Sequence, residues 1–118
     1  MMQNNKDNKI LRIFASSTDR TGGDLLYEKI VYMAKEQNLA GATVFRGVLG
    51  FGASSVIHSS KFWELTEKLP VVIEIIDHSD KIDAFYLQIE PLLKEIPKGC
   101  LVTIDPVKVV LYKAGKSK

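Results

Sequence analysis

The 118-residue sequence has few cysteines and histidines, little net charge and no long apolar run, and each of these shortages argues against a class of function. It has one cysteine and two histidines, which excludes a disulfide framework and a metal site built from cysteine thiolates. The formal net charge is only +2 and the basic residues are scattered, so a nucleic-acid surface is not indicated. No apolar run approaches the roughly 20 residues that cross a bilayer, and the polar N-terminus is unlike a signal peptide. We expect a cytoplasmic protein without a metal site or membrane insertion.

What the sequence does contain is typical of one small globular domain, with 46% hydrophobic and 25% charged residues. Residues 1–8 offer little apolar surface to bury, so we expect a disordered N-terminal tail. Residues 9–113 form the predicted domain, and residues 114–118 form a short basic tail. Within the domain, the polar and aromatic segment 53–69 is predicted to project as a long loop.

The stretch from Gly41 to Gly52 is the centre of the prediction (Gly-Ala-Thr-Val-Phe-Arg-Gly-Val-Leu-Gly-Phe-Gly). Residues 42–49 are rich in β-branched and aromatic side chains, which indicates a strand. Gly50 and Gly52 flank Phe51, and glycine permits a close approach of the backbone to a ligand. Backbone N–H groups in such a turn can hold phosphate oxygens without a charged side chain. A sharp strand exit with no ligand is the alternative.

The remaining elements follow from hydrophobic periodicity. Strands are predicted at 9–15 and 71–76, with a last strand over 101–104 and 107–112 that is interrupted at Asp105-Pro106. A first helix is predicted over 24–38, ended by Leu39-Ala40-Gly41. A second follows Ser79, is kinked or limited at Pro91, and ends at Pro97. The order β-α-β, loop, β-α-β predicts an α+β, ferredoxin-like fold, with two helices on one face of a four-stranded antiparallel sheet.

Two helices can cover only one face of such a sheet. The first, third and fourth strands nevertheless place apolar side chains on both faces. An uncovered apolar sheet face favours association, and the small core of a single chain points the same way. We therefore predict a homo-oligomer that packs through its sheets.

Several motifs give the chain a resemblance to known proteins. The stretch 41–52 resembles the part of PII nitrogen-regulatory proteins that leads into their mobile T-loop. The nearer resemblance is to an uncharacterised PII-like family of conserved proteins, and it covers about residues 9–113. Its motifs occur in order at matching spacing: Asp19-Arg20-x-x-Gly23, Leu26-Tyr27-Glu28, Gly41-Ala-Thr-Val, Arg46-Gly47, Gly50-Phe51-Gly52, Ile57-His58 and Leu69-Pro70-Val71.

The resemblance implies a homotrimer that binds an adenine nucleotide in clefts between subunits and has no catalytic residue, required cofactor or metal. The nucleotide would change the order of the T-loop-like segment 53–69, which would dock on a protein partner such as a membrane transporter. The implied nucleotide-binding residues are Arg46, Gly50, Phe51, Gly52, Ala53, Lys98, Gly99, Cys100 and Lys113, together with Arg20 ahead of the first helix. The candidate partner-binding residues in the loop are His58, Phe62 and Trp63, and packing of the loop's own base is the favoured interpretation of Phe62 and Trp63.

The chain also departs from PII proteins. The basic, double-glycine loop before the last PII strand is shortened here to Pro97-Lys98-Gly99-Cys100, and one of two arginines expected on that strand is Leu111. These losses favour AMP or ADP over a triphosphate.

Three alternatives stay open at the level of the sequence. Arg46 could form a salt bridge to Glu74 on a neighbouring strand instead of binding a ligand. Arg20 also fits an acylphosphatase-like enzyme, although residues 71–77 contain no asparagine to position water. A structural or metal-tolerance trimer of the CutA type shares the architecture.

RNA binding is disfavoured because the sheet lacks a paired aromatic platform. Cys100 is predicted to be a small buried residue, since no histidine is adjacent in sequence to activate it.

Overall fold

The computed structural model describes residues 7–52, 58–59 and 68–116, with only the backbone of 58–59. Most of the predicted loop 53–69 therefore lies outside the described residues, as do residues 1–6 of the predicted tail 1–8. Asn8, at the end of that predicted tail, is instead buried at the start of the first strand. The elements in chain order are β1 (Asn8–Ser16), β2 (Arg20–Thr21), β3 (Asp24–Leu25), α1 (Leu26–Glu36), β4 (Gly41–Arg46), β5 (Leu49–Gly50), β6 (His58–Ser59), β7 (Pro70–His78), α2 (Ser79–Glu95) and β8 (Leu101–Val107).

Four of these strands form an antiparallel sheet in the order β4-β7-β1-β8. Alternate residues of the two central strands pack against both helices, which cover the same face. This arrangement confirms the predicted α+β, ferredoxin-like fold. The core consists of buried aliphatic side chains and one phenylalanine: Leu11, Ile13, Leu26, Ile30, Ala34, Ile73, Ile75, Ile82, Phe85, Ile89, Leu93 and Ile96.

The opposite face of the sheet carries no helix in the described part of the chain, and we call it the open face. Phe45 of β4 lies opposite Val72, and Phe14 of β1 lies opposite Leu101. Phe45 and Leu101 are 51% and 57% exposed. Such apolar exposure on one face supports the expectation that it is covered in an assembly.

A charged cluster lies in the middle of the open face. The Nε atom of Arg12 donates to Glu74 Oε2 at 3.0 Å, and its Nη1 lies 3.6 Å from Asp105 Oδ2. The suggested pairing of Arg46 with Glu74 is therefore wrong, because Glu74 lies opposite Arg12 and Arg46 lies opposite Val71. Neighbours across a sheet depend on strand order and register, which the local sequence of β4 does not contain.

The last strand differs from the prediction. It runs without interruption from Leu101 to Val107 and includes Pro106. Because β8 is an edge strand, Pro106 can lie in it with the nitrogen that lacks a hydrogen facing away from the sheet. Pairing ends where Val107 meets Asn8, the first residue of β1. Residues 108–116 are therefore not a strand, and Leu111 and Tyr112 lie beside the edge strand β4.

The observed ends of the helices also differ from the predicted ends. Helix α1 begins at Leu26 because Asp24 pairs with Thr21 in the β2–β3 hairpin. It ends before Asn38, which takes the left-handed conformation (φ 60°) in place of the predicted Gly41. Asparagine tolerates this conformation better than most residues. Helix α2 continues through Pro91 to Glu95, so the proline does not end it.

Candidate functional site

A groove of about 440 Å³ lies at one end of the open face. It is bordered by three segments that are far apart in sequence: the glycine-rich residues after β4, the loop between α2 and β8, and the adjoining ends of β1 and β7. Its lining residues are Phe14, Ala15, Ser16, Gly50, Phe51, Gly52, Pro70, Val71, Val72, Lys98, Gly99, Cys100 and Leu101.

The sheet register explains why these segments meet. Ser16 at the end of β1 lies opposite Pro70 at the start of β7, so both chain reversals occur at the same end of the sheet. The loop from α2 enters β8 at Leu101, opposite Phe14 of β1. On the other side, the Gly47 N–H donates to the Pro70 carbonyl at 2.7 Å and brings the glycine-rich segment over the end of β7.

The groove has an apolar part and a polar part. Phe14, Val72 and Leu101 provide flat apolar surface from the open face. Among the described residues that line the groove, Lys98 is the one with a charged side chain. The small residues Gly50 and Gly52 leave backbone accessible beside it. Such a site can hold a planar apolar group together with a small anionic group.

Six of the predicted nucleotide-binding residues border this groove within a single chain: Gly50, Phe51, Gly52, Lys98, Gly99 and Cys100. The prediction had placed them in clefts between subunits. Arg20 is not among the lining residues, since its Nη1 donates to the Gly23 carbonyl at 2.7 Å in its own hairpin. Arg46 is exposed and also borders no part of the groove.

Lys113 is not among the lining residues of the groove. Its neighbour Tyr112 borders a depression with Gly41 and Asp77. Along β7, Asp77 is about 23 Å from Pro70 at a rise of about 3.3 Å per residue. Ala53, Phe62, Trp63 and the side chain of His58 lie outside the described residues.

The sequence analysis missed the sheet residues that form the apolar part of the groove. Phe14, Ser16, Val72 and Leu101 were each assigned only to a strand or a loop. The sequence held no signal for their meeting, because it depends on strand pairing between segments that are far apart in the chain.

Cys100 lies on the wall of this groove, partly buried. Burial raises the pKa of its thiol above the ordinary value, and the nearby Asp19 carboxylate raises it further. Asp19 itself is buried and accepts a hydrogen bond from the Ser16 N–H at 2.9 Å. This environment suppresses the thiolate, so Cys100 has the character of a packing residue and not of a nucleophile.

We expect Cys100 to react several-fold more slowly with iodoacetamide at pH 8 in the folded protein than in urea-denatured chain, because the reactive thiolate is less populated. The rate should keep rising above the pH at which the unfolded thiol is fully ionised. Mass spectrometry of a quenched time course measures this, and Cys100 is the only cysteine, so the assignment is unambiguous. Equal rates in the two states would contradict the proposed environment.

Comparison with known families identifies the chain. A family model described as "Uncharacterized ACR, COG1993" (DUF190) matches residues 8–109. The chain belongs to the DUF190 family. The resemblance to an uncharacterised PII-like family is thereby confirmed.

This DUF190 chain has relatives in distant organisms. It is 38% identical over 102 residues to a UPF0166 protein of Aquifex aeolicus (strain VF5), covering 86% of this chain and 92% of the relative. It is 33% identical over 99 residues to the UPF0166 protein MJ1524 of Methanocaldococcus jannaschii, covering 82% and 87% of the two chains.

Solved structures resemble the DUF190 chain in fold. One is described as CPII, a nitrogen regulatory PII-like protein from Thiomonas intermedia K12, bound to ADP, AMP and bicarbonate. It has a TM-score of 0.60 at 12% identity and covers 87% of this chain and 90% of its own. A second structure of CPII, bound to ADP and bicarbonate, gives 0.58 at 14% identity, with the same coverage. These similarities establish a PII-like fold.

The described residues of the DUF190 chain also bear on metal binding and membrane insertion. Within the part of the chain that the structure describes, no three histidine, cysteine, aspartate or glutamate side chains come together as a metal site. Neither of the two helices in these residues is both long and apolar enough to span a bilayer.

Proposed function

We propose that this protein is a non-enzymatic PII-like regulator that binds an adenine nucleotide, with AMP or ADP favoured, in the groove at the base of segment 53–69. The observation that most supports this proposal is that the Gly50–Gly52 turn and the Lys98–Cys100 loop border one groove, at the point where the chain leads into segment 53–69. The description of CPII as bound to ADP and AMP supports this choice of ligand. The regulated partner, such as a membrane transporter, would be contacted through segment 53–69.

The two parts of the groove suit the two parts of a nucleotide. The adenine would pack on the apolar surface that Phe14 and Leu101 provide. The phosphates would lie against the backbone of Gly50–Gly52 and near the Lys98 ammonium group. Because one lysine compensates little negative charge, the groove should favour one or two phosphates over three.

A homotrimer would complete this site. Lys113 is not among the residues that line the groove of its own chain, and its neighbour Tyr112 borders a depression with Asp77 near the far end of β7, so Lys113 would contribute to the groove of another copy. The exposed apolar side chains Phe45 and Leu101 on the open face support packing between copies. Val110 and Leu111 beside Lys113 are also exposed and would be buried by such contact.

The binding test is calorimetry and thermal shift with adenosine, AMP, ADP and ATP. We expect ADP or AMP to stabilise the protein, since a ligand that binds only the folded state raises the free energy of unfolding. Replacing Lys98 by alanine should weaken ADP binding about tenfold, because a charge-assisted contact is lost. Adenosine binding should change little in the same variant.

The matched control is Lys29→Ala, since Lys29 is exposed on α1 and away from the groove. It should bind ADP as the wild type does. No stabilisation by any adenine compound at millimolar concentration would remove the proposal, and would favour a structural trimer of the CutA type.

An acylphosphatase-like enzyme has less support. Its candidate residue, Arg20, donates to the Gly23 carbonyl and does not border the groove. Hydrolysis of an acyl phosphate by the wild type that disappears in Arg20→Ala would reverse this preference.

A further inference from the structure

The two ends of the segment between β4 and β7 are held differently. On the returning side, Leu69 is 4% exposed and makes two hydrogen bonds to Ser17. The Ser17 N–H donates to the Leu69 carbonyl at 2.8 Å, and the Leu69 N–H donates to Ser17 Oγ at 3.0 Å. On the departing side, the Gly47 N–H donates to the Pro70 carbonyl at 2.7 Å. The returning end is thus anchored in the core, and the departing end lies against Pro70.

The contact between Gly47 and Pro70 leaves no space for a side chain. A Cβ atom at Gly47 would lie 2.9 Å from Pro70 Cγ, which is closer than real Cβ contacts. The positive-φ glycines among the described residues are Gly22 and Gly23, so Gly47 is needed for space and not for backbone conformation. A Cβ at Gly50 would lie 3.5 Å from the same ring carbon, in ordinary contact. The Pro70 ring therefore lies under both Gly47 and Gly50.

The same proline borders the groove. Pro70 lines it together with Gly50, Phe51 and Gly52. The ring thus has two neighbours: the point where the chain leaves β4, and the wall that a bound molecule would touch. A shift of Gly50 toward Pro70 on binding would have to be accommodated at the Pro70 ring, since packed atoms cannot overlap.

We infer that Gly47 and Pro70 form a steric coupling between the groove and the direction in which the chain leaves β4, with Gly47 as a positioning residue that does not itself touch the nucleotide. This inference rests on the proposed function, because the ligand that uses the coupling is the adenine nucleotide of the groove. It gives the regulation a physical basis: a nucleotide that prefers one position of the Gly50–Gly52 wall also prefers one exit direction of the chain.

The test compares Gly47→Ala with Gly41→Ala. Both glycines lie at ends of the same strand region, but a Cβ at Gly41 meets nothing within 4 Å. Affinity for ADP is measured by calorimetry. The exit direction is followed by the emission of Trp63, the only tryptophan in the chain, which lies in the segment between β4 and β7. Circular dichroism checks that each variant is folded.

We expect Gly47→Ala to shift Trp63 emission without ligand, to weaken ADP binding about tenfold, and to lose most of the emission change that ADP causes. Gly41→Ala should match the wild type in all three. Combining Gly47→Ala with Pro70→Ala removes the ring carbon that causes the overlap, so the added effect of Gly47→Ala should largely disappear in that background. This comparison also decides the matter if Gly47→Ala alone does not fold.

Two outcomes would overturn the inference while leaving nucleotide binding intact. One is an unchanged ADP affinity and unchanged emission in Gly47→Ala. The other is an equal effect of Gly47→Ala with and without the Pro70 ring. Failure of the wild type to bind any adenine nucleotide would instead refute the proposed function, and the coupling to that ligand would fall with it.

Discussion

Replacing Phe45 by aspartate is expected to convert the protein into a folded monomer. Phe45 is 51% exposed on the open face of the edge strand β4, opposite Val72, and makes no part of the helix-covered core. In a trimer that packs through open faces, the substitution would bury a carboxylate against apolar side chains. Loss of a hot-spot aromatic side chain costs about 2 kcal/mol or more, which is about 30-fold in affinity, and the buried carboxylate adds to this cost.

The matched control is Tyr32→Asp. Tyr32 is 65% exposed on α1, the helix-covered side of the molecule, so the same kind of aromatic-to-acid change should leave association intact. Size-exclusion chromatography with light scattering measures the mass of the wild type and both variants between about 1 and 100 μM, a range that brackets micromolar dissociation constants. A wild type that stays monomeric throughout this range would refute the homotrimer, and a Phe45→Asp variant that still associates would place the contact elsewhere.

The monomeric variant would also separate two accounts of the nucleotide site. The groove borders of Gly50–Gly52 and Lys98–Cys100 meet within one chain, whereas Lys113 is not among the lining residues. If another copy supplies Lys113, ADP affinity should fall in Phe45→Asp more than adenosine affinity does. If Phe45→Asp binds ADP as tightly as the wild type does, one chain carries the whole site.

Much of the fold followed from local pattern. The almost continuous apolar run at 71–76 predicted a strand, and β7 covers these residues as Pro70–His78. Leu26, Ile30, Met33 and Ala34 fall at helical spacing in the sequence, and all of them except the partly buried Met33 are buried in α1. These predictions succeed because the spacing of buried positions along a helix or strand depends only on residues that are close in sequence.

The predictions that failed depend on contacts between distant residues. The pairing of Glu74 with Arg12 instead of Arg46 follows from strand order. The need for glycine at position 47 comes from Pro70, which is distant in sequence. The apolar half of the groove likewise depends on Phe14 meeting Leu101 across the β1–β8 pair. No periodicity within one segment reports such neighbours.

Replacing Asp77 by alanine should produce the largest loss of stability among single changes at polar residues. Its carboxylate is 1% exposed, and its Oδ2 accepts from the Ala40 N–H at 2.7 Å. Its Oδ1 accepts from the His78 N–H, and Lys81 Nζ lies 3.6 Å from Oδ2. The side chain therefore joins the α1–β4 turn to the β7–α2 junction. Removing it leaves backbone donors and an ammonium group without their acceptor, at a cost of about 3 kcal/mol in the free energy of unfolding.

The matched control is Asp83→Ala. Asp83 also pairs with a lysine, Lys9, at 3.0 Å, but both side chains are partly in solvent. Exposed pairs contribute about 1 kcal/mol or less, so this variant should unfold close to the wild type. Urea denaturation at pH 7 measures both. A signal was available in the sequence, since Asp77 continues the buried face of Ile73 and Ile75, where an acidic residue must find donors. If the free energy of unfolding falls equally little in both variants, the buried carboxylate is not what holds these two junctions together.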